Sequence, residues 1–267
     1  MTKKYTSSLT DAQWQVIENK LPEQMVKRKR DYPLRSIFDA IFYLLKNGCV
    51  WRDIPGEYPP TGIVYYYFKI WRDSGLIEYL CLELGGDYRE LMGKERSPSV
   101  GIIDAQSTKN TAVSGQSESG YDAGKKIKGR KRHLMVDTLG LIIVVWVTSA
   151  DWQDRDAASW LFAKLYMNRF DFPRLKTFFA DGGYKGKLVR FVKKIYSRLT
   201  WELKIVKRPE NLNTFKVLPM RWIVERSFAW HDNCRRLSKD YERKTESAEA
   251  FIYLAQIRLL ALRCQKS

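Results

Sequence analysis

Histidine is nearly absent from this chain: His133 and His231 are the only two in 267 residues. A His-rich metal centre or a Ser-His-Asp triad therefore has little to draw on. The four cysteines, Cys49, Cys81, Cys234 and Cys264, are widely scattered and none forms a C-x-x-C pair. Neither a zinc site nor a disulfide framework is expected from them. Long apolar runs are missing too. The longest, Leu139 to Val147, falls well short of the roughly 20 residues that span a bilayer. Residues 1–21 carry no apolar signal core, so the expectation is a soluble, intracellular chain with no membrane partner. There is no internal repeat and no low-complexity tract. Negative charge is in deficit: 30 Asp and Glu stand against 47 Lys and Arg, a net charge of +17. Such an excess favours a polyanion, because Lys and Arg displace counterions from phosphates. Nucleic acid is preferred over a membrane surface or a ribosomal-type role. Hydrophobic residues make up 45% and charged residues 29%, enough for a core and a solvated surface. The length suits one medium domain with a smaller appendage, or two small domains.

The first third reads as helical. Residues 9 to 22 offer caps at Thr10 and Asp11, with Trp14, Ile17 and Leu21 at helical spacing before Pro22. A basic loop, Lys27-Arg-Lys-Arg30, follows. Residues 34 to 47 form a second helix with Ile37, Ile41, Leu44 and Leu45 on its apolar face and Gly48 as its C-terminal cap. The segment Gly62 to Asp73 carries Tyr65, Tyr66, Tyr67, Lys69, Trp71 and Arg72. Helix, turn, then an aromatic and basic helix is a helix-turn-helix outline, with Tyr65, Lys69 and Arg72 as candidate DNA contacts. A helical bundle packed by its aromatics would read the same way. Residues 75 to 93 add one more helix.

After Lys94 to Pro98 the pattern changes to strands. Val100 to Asp104 is short and buried. Residues 130 to 137 are a second strand, Thr138-Leu-Gly140 a tight turn, and Leu141 to Thr148 a third strand rich in β-branched residues. Residues 112 to 128 between them form a polar loop. Residues 154 to 168 read as a helix, Lys176 to Ala180 as a fourth strand and Trp201 to Val206 as a fifth. Helices over about 219 to 237 and 246 to 263 finish the chain. The order β-β-β-α-β-α-β-α is the outline of a ribonuclease H-like fold, a mixed α/β sheet flanked by helices. The expected domains are 1–95, all-helical and DNA-binding, and 96–267, catalytic.

Phosphodiester chemistry needs charge neutralised on the attacking and leaving oxygens. Two divalent ions about 4 Å apart, held by carboxylates, do this. Asp104 ends the strand Ile102-Ile103-Asp104, and Asp181 ends Phe178-Phe179-Ala180-Asp181 before Gly182-Gly183. Strands that deliver acids at their carboxyl ends match the place where open sheets bind ligands, although such an acid can simply mark the chain leaving the core. Glu225 lies on the last helices, and helical spacing puts Arg221, Glu225 and Arg236 on one face. An acid flanked by guanidiniums suits a metal site laid against a phosphate backbone, with Arg221 and Arg236 as candidate DNA contacts. An exposed helix with i,i+4 ion pairs would look alike.

Four segments carry a resemblance. They are Gly101-Ile-Ile-Asp104-Ala-Gln-Ser-Thr-Lys109, Gly129-Arg-Lys-Arg-His-Leu-Met-Val-Asp-Thr138, Ala180-Asp181-Gly-Gly-Tyr184-Lys-Gly186, and Arg221-Trp-Ile-Val-Glu225-Arg-Ser-Phe-Ala-Trp230 with Arg235 to Glu242. In this order they resemble the motifs of IS5-family bacterial insertion-sequence transposases, and residues 5 to 80 look like that family's N-terminal helical region. The resemblance implies that Asp104, Asp181 and Glu225 are catalytic residues and ligands of Mg²⁺, for which Mn²⁺ can substitute. It implies an endonuclease that binds the terminal inverted repeats of an insertion sequence, cleaves there and joins the 3′-hydroxyl to target DNA. It implies double-stranded DNA as partner, a homodimer or higher assembly on DNA, and a bacterial, cytoplasmic, nucleoid-associated protein. Of the wider signature Tyr-x2-Arg-x3-Glu-x6-Lys, Arg221 and Glu225 match, while Leu218 and Asp232 stand at the Tyr and Lys positions. Arg236 or Lys239 would then take over the missing lysine's DNA contact.

The second basic cluster packs Lys125, Lys126, Lys128, Arg130, Lys131 and Arg132 into eight residues. Phosphate tracking is expected of it, most directly through Lys125, Lys126, Lys128, Arg130 and Arg132. Two other functions remain compatible with the same residues: a ribonuclease H-like nuclease that only hydrolyses, and a catalytically silent, transposase-derived DNA-binding protein.

Overall fold

A computed structural model describes residues 5–111, 118–206 and 220–265. The expected Tyr position of the signature, Leu218, lies outside the described residues, as does the start of the helix expected from 219. The chain divides into two compact units. One takes the residues up to Lys94 together with His231–Lys239 and the residues from Glu246 on; the other takes Glu95–Trp230 and Asp240–Thr245. The C-terminal helix thus packs with the N-terminal helices rather than with the sheet.

The helical unit is built from α1 (Asp11–Glu18), α2 (Glu23–Lys27), α3 (Leu34–Asn47), α4 (Thr61–Asp73), α5 (Leu76–Leu91) and most of the C-terminal helix, Thr245–Cys264. Thr10 caps α1 in a capping box with Gln13, so two orphan donors are satisfied reciprocally. Gly48 ends α3 in the left-handed region at φ 71°, where a side chain would be strained. Ile37, Ile41, Leu44 and Leu45 are fully buried, as their spacing requires. Phe38 stacks on Trp71 with centroids 4.4 Å apart, and Phe68 on Phe251 at 4.9 Å. The C-terminal helix buries residues on every side, from Phe251 through Leu254 to Leu260. A helix apolar all round needs neighbours all round. The connection from α3 to α4, Gly48 to Pro60, holds a 3-10 turn at Trp51–Asp53. It is longer than the roughly 3–4-residue turn of a helix-turn-helix. The N-terminal region is therefore helical, but its α3–α4 pair is not the tight motif expected.

The sheet unit holds β1 (Val100–Lys109), β2 (Gly120–Asp122), β3 (Ile127–Val136), β4 (Ile142–Ser149), α6 (Asp154–Met167), β5 (Thr177–Ala180), α7 (Lys187–Ile195), β6 (Glu202–Ile205) and most of α8 (Arg221–Asp232). β3 pairs antiparallel with β1 on one side and with β4 and short β2 on the other. β5 pairs parallel with β1 and with β6. Three antiparallel strands continued by two parallel ones form the α/β ribonuclease H-like sheet. β1 and β3 both run longer than expected, and the polar loop expected over 112 to 128 holds short β2, a turn and the first residues of β3. Antiparallel partners share a face, which puts Asp104 with Leu134 and Val145, and Ala105 with His133 and Trp146.

Candidate active site

β1 and β5 lie side by side and parallel, with Ile102 opposite Phe179. Two residues further along come Asp104, inside β1, and Asp181, just past the end of β5, so the parallel register delivers both acids to the same level of the sheet. Asp181 caps the 3-10 turn Gly182–Tyr184, its Oδ1 accepting from the Gly183 N–H at 2.8 Å. Its Oδ2 faces a guanidinium nitrogen of Arg221 at 3.8 Å. Asp104 Oδ1 accepts from the Ala105 N–H at 2.8 Å.

α8 supplies the third acid, and its seat is fixed by the β3–β4 turn. Asp137 Oδ1 accepts from the N–H groups of Leu139 and Leu141, closing that turn. Gly140 sits at φ 83°, and a Cβ there would lie 2.7 Å from Ser227 Oγ. Only glycine admits α8 so closely. Ser227 Oγ donates to the Gly140 carbonyl, and Arg226 donates to that of Leu139. The Arg226 guanidinium lies 4.6 Å from both the Trp222 and the Trp230 rings. So held, α8 presents Arg221 and Glu225 one turn apart, with Arg221 Nε 3.0 Å from a Glu225 carboxylate oxygen. Arg221 thereby pairs with Asp181 and Glu225 at once. Among the described residues, no three of His, Cys, Asp and Glu lie close enough together to hold one ion. The three acids form one electrostatic cluster, and Glu225 joins it through Arg221.

Burial pushes the Asp104 carboxyl up from the ordinary 3.8 to about 6; the neighbouring Asp181 charge adds to this, while the Ala105 N–H, Arg221 and Lys125 oppose it. Behind the acids lies Tyr184, 1% exposed. Its phenol is held far above its usual range by burial and by the charges of Asp104, Asp154 and Asp181. Its hydroxyl has no hydrogen-bond partner among the described residues. An orphaned buried hydroxyl beside an acid that resists ionisation suits a hydrated divalent cation, whose charge would favour the carboxylate form and whose water would satisfy the phenol.

The basic cluster splits. Lys125, Lys126 and Lys128 are exposed. Lys125 Nζ donates to the Ala105 carbonyl at 3.0 Å, beside Asp104. Its turn is organised by Asp122, which accepts from the backbone N–H groups of Gly124 and Lys125 and from Ser107 Oγ. Arg130, by contrast, has no exposed surface. Its five donors are all used, on Glu118 (carbonyl and carboxylate), Asp240, and the carbonyls of Glu242 and Arg243. Arg132 is buried too. The expectation that Arg130 and Arg132 track phosphate is corrected: both point into the unit, because β3 runs through its centre. Lys131 is buried between Asp122 and Asp154.

Arg236 is corrected likewise. α8 ends at Asp232, and Arg235–Leu237 is a separate 3-10 turn, so helical phase does not carry from Glu225 to Arg236. Arg236 is buried in the helical unit, donating to the Cys49 carbonyl at 2.8 Å and lying 5.3 Å from the Phe251 ring. Lys239 is exposed. On α4, Tyr65 and Lys69 are exposed, while Arg72 tucks in to donate to Ser247 Oγ at 2.6 Å. Sequence reasoning missed the orphaned hydroxyl of Tyr184 and the pairing of Arg221 with Asp181. An aromatic three residues after a strand-end acid was the available signal for the first.

The family model described as "Transposase DDE domain" matches residues 95–260. The one described as "Putative transposase of IS4/5 family" matches residues 9–81. No curated protein and no solved structure matches the chain. The second takes in the N-terminal helices, which are similar to those of putative IS4/5-family transposases, and the first takes in most of the chain, including all three acids in their expected order: the chain belongs to the DDE transposases.

Proposed function

We propose that the chain binds the terminal inverted repeats of an insertion sequence, cuts at the ends and joins the freed 3′-hydroxyl to target DNA. The observation that carries this is the delivery of Asp104 and Asp181 by two adjacent parallel strands to one place, with Glu225 tied in through Arg221. Asp104 and Asp181, side by side, would begin the seat for Mg²⁺, or Mn²⁺ in its stead, and Glu225 would complete it by moving in from its pair with Arg221. When bound, the metal lowers the pKa of a coordinated water and offsets charge on the transferring phosphoryl group.

In the first step a water oxygen attacks the phosphorus at the element's end, and the bond to the 3′-oxygen breaks. In the second, that 3′-hydroxyl attacks a target phosphorus in line, and the target strand's own 3′-oxygen leaves. The first step leaves a 5′-phosphate monoester and a 3′-hydroxyl, and the second exchanges one phosphodiester for another; each forms one P–O bond as another breaks, so what this chain must do is position and neutralise. Asp104, half-buried and flanked by Asp181, is the acid whose charge most needs a cation. Lys125, Lys126 and Lys128, exposed on the segment that passes Asp104, would hold phosphate without reading bases. Lys125 takes the place expected of Arg236, and Lys239 remains a second candidate. The helices of residues 1–95, with Tyr65 and Lys69 on the outer face of α4, would contact terminal-repeat DNA. A homodimer or higher assembly on DNA would bring two ends together.

The test measures cleavage of a labelled element end and joining of a pre-cut end, alongside DNA binding. Asp104→Asn, Asp181→Asn and Glu225→Gln should each abolish both reactions and leave binding intact. A wild-type chain that cleaves but never joins is a hydrolytic nuclease. One that binds and does neither is a silent DNA-binding protein.

A further inference from the structure

Two of the three acids already have a cation, and it belongs to the protein. Arg221 lies 3.8 Å from Asp181 and 3.0 Å from Glu225, and its charge also acts on Asp104. The acids stand on different elements, β5's end and α8, so Arg221 is the only side chain among the described residues that joins them by ion pairs. We propose that Arg221 is the internal counter-ion of the acid cluster: it holds Asp181 and Glu225 until a divalent cation takes them, and its guanidinium is then released to a phosphate of bound DNA. This rests on the three-acid reading above and adds to it a coupling between cation and DNA.

The geometry favours such a handover. Arg221, Asp181 and Glu225 keep 38%, 28% and 53% of their side-chain surface exposed. Ion pairs this open to water are weak, so a cation with several carboxylate oxygens displaces them readily. The arginine stays on α8 beside the site, where its planar fork suits a phosphate. Three acidic groups clustered without any cation would repel one another and the DNA backbone. With Arg221 among them the resting cluster is tolerable, and once the cation has arrived the same arginine is free to bind the incoming strand. A cation that frees a phosphate-binding group must tighten DNA binding, and by linkage DNA must tighten cation binding by the same factor.

The experiment measures Mn²⁺ affinity by calorimetry, with and without a short duplex of arbitrary sequence. It also measures duplex affinity with and without Mn²⁺. Wild type should show each ligand tightening the other. In Arg221→Gln, Mn²⁺ should bind the free protein about two- to thirtyfold more tightly, the range that two exposed ion pairs span, and the mutual enhancement should fall towards one. Arg221→Lys restores the charge and should bring Mn²⁺ affinity back towards wild type. If R221Q binds Mn²⁺ no better than wild type, or keeps the full enhancement, the counter-ion role is wrong. If R221K binds Mn²⁺ as tightly as R221Q, charge is not what holds the cation off, and the inference falls. A wild-type chain that takes up no Mn²⁺ would overturn the three-acid reading itself, and this inference with it.

Discussion

The basic run from Lys125 to Arg132 is one stretch in the sequence and two regions in the molecule. Its first part, Lys125, Lys126 and Lys128, is exposed, and Lys125 reaches the edge of the acid cluster at Ala105. Its second part, Arg130, Lys131 and Arg132, lies on a central strand and is buried. What separates them is the supply of counter-charge from elsewhere in the chain. Asp240, 1% exposed at its side chain, and Glu118 meet Arg130; Asp122 and Asp154 meet Lys131. Charges that acquire acids from distant segments become part of the interior. Those that do not remain at the surface, where phosphate can reach them.

The sharpest way to break this comparison is Arg130→Gln. It leaves Asp240 buried without its cation and removes several hydrogen bonds, so the chain should lose about 3–5 kcal/mol in urea unfolding. A loss inside about 0.5 kcal/mol would show that Arg130 is replaceable surface charge. Asp104 offers the opposite case, a half-buried acid that accepts from the adjacent Ala105 N–H. Its folded pKa is raised, so its protonated form is the one the fold favours. That contribution is complete below pH 3.8 and disappears as pH rises through about 6. In EDTA, Asp104→Asn should therefore stabilise the chain by roughly 1–3 kcal/mol at pH 8 and by nothing at pH 4. The same variant effect at both pH values would remove burial as the cause.

Replacing Lys125, Lys126 and Lys128 together by Gln should leave stability within about 0.5 kcal/mol. It should flatten the slope of log DNA affinity against log salt by up to about 3 units, if each lysine meets a phosphate. An unchanged slope would make the exposed part mere solvated surface. The smallest effect is expected of Tyr184→Phe. Removing a hydroxyl that lacks a partner should leave metal-free stability unchanged or raise it by about 1 kcal/mol, while Mn²⁺ affinity falls. Unchanged Mn²⁺ affinity would separate the phenol from the cation.

Much of this architecture was legible beforehand, where pattern and structure share a cause. Strand periodicity located β1 and β3 to β6, and the Gly48 cap ended α3, but Asp104, expected to end its strand, lies inside β1 because pairing with β3 carries that strand on to Lys109. What escaped depended on contacts made across the chain. Nothing near Arg130 announces Asp240 or Glu118, so the run looked uniformly suited to DNA. The helix through Glu225 looked continuous to residue 237 because Cys234 to Leu237 contains no proline or glycine. Its ending shows only in the 3-10 turn of Arg235–Leu237, whose Arg236 is drawn into the helical unit by the Cys49 carbonyl and the Phe251 ring.

The central claim is that these acids hold the metal used in phosphoryl transfer, and the most direct measurement of it replaces an oxygen ligand by sulfur. A thiolate is a poor ligand for Mg²⁺ and a better one for the softer Mn²⁺. Asp181→Cys should therefore lose cleavage of a labelled element end in Mg²⁺ and regain a measurable part of it in Mn²⁺, while Asp181→Ala stays inactive in both. Equal loss in the two metals for the cysteine variant, with DNA binding intact, would contradict Asp181 as a ligand and with it the site described above.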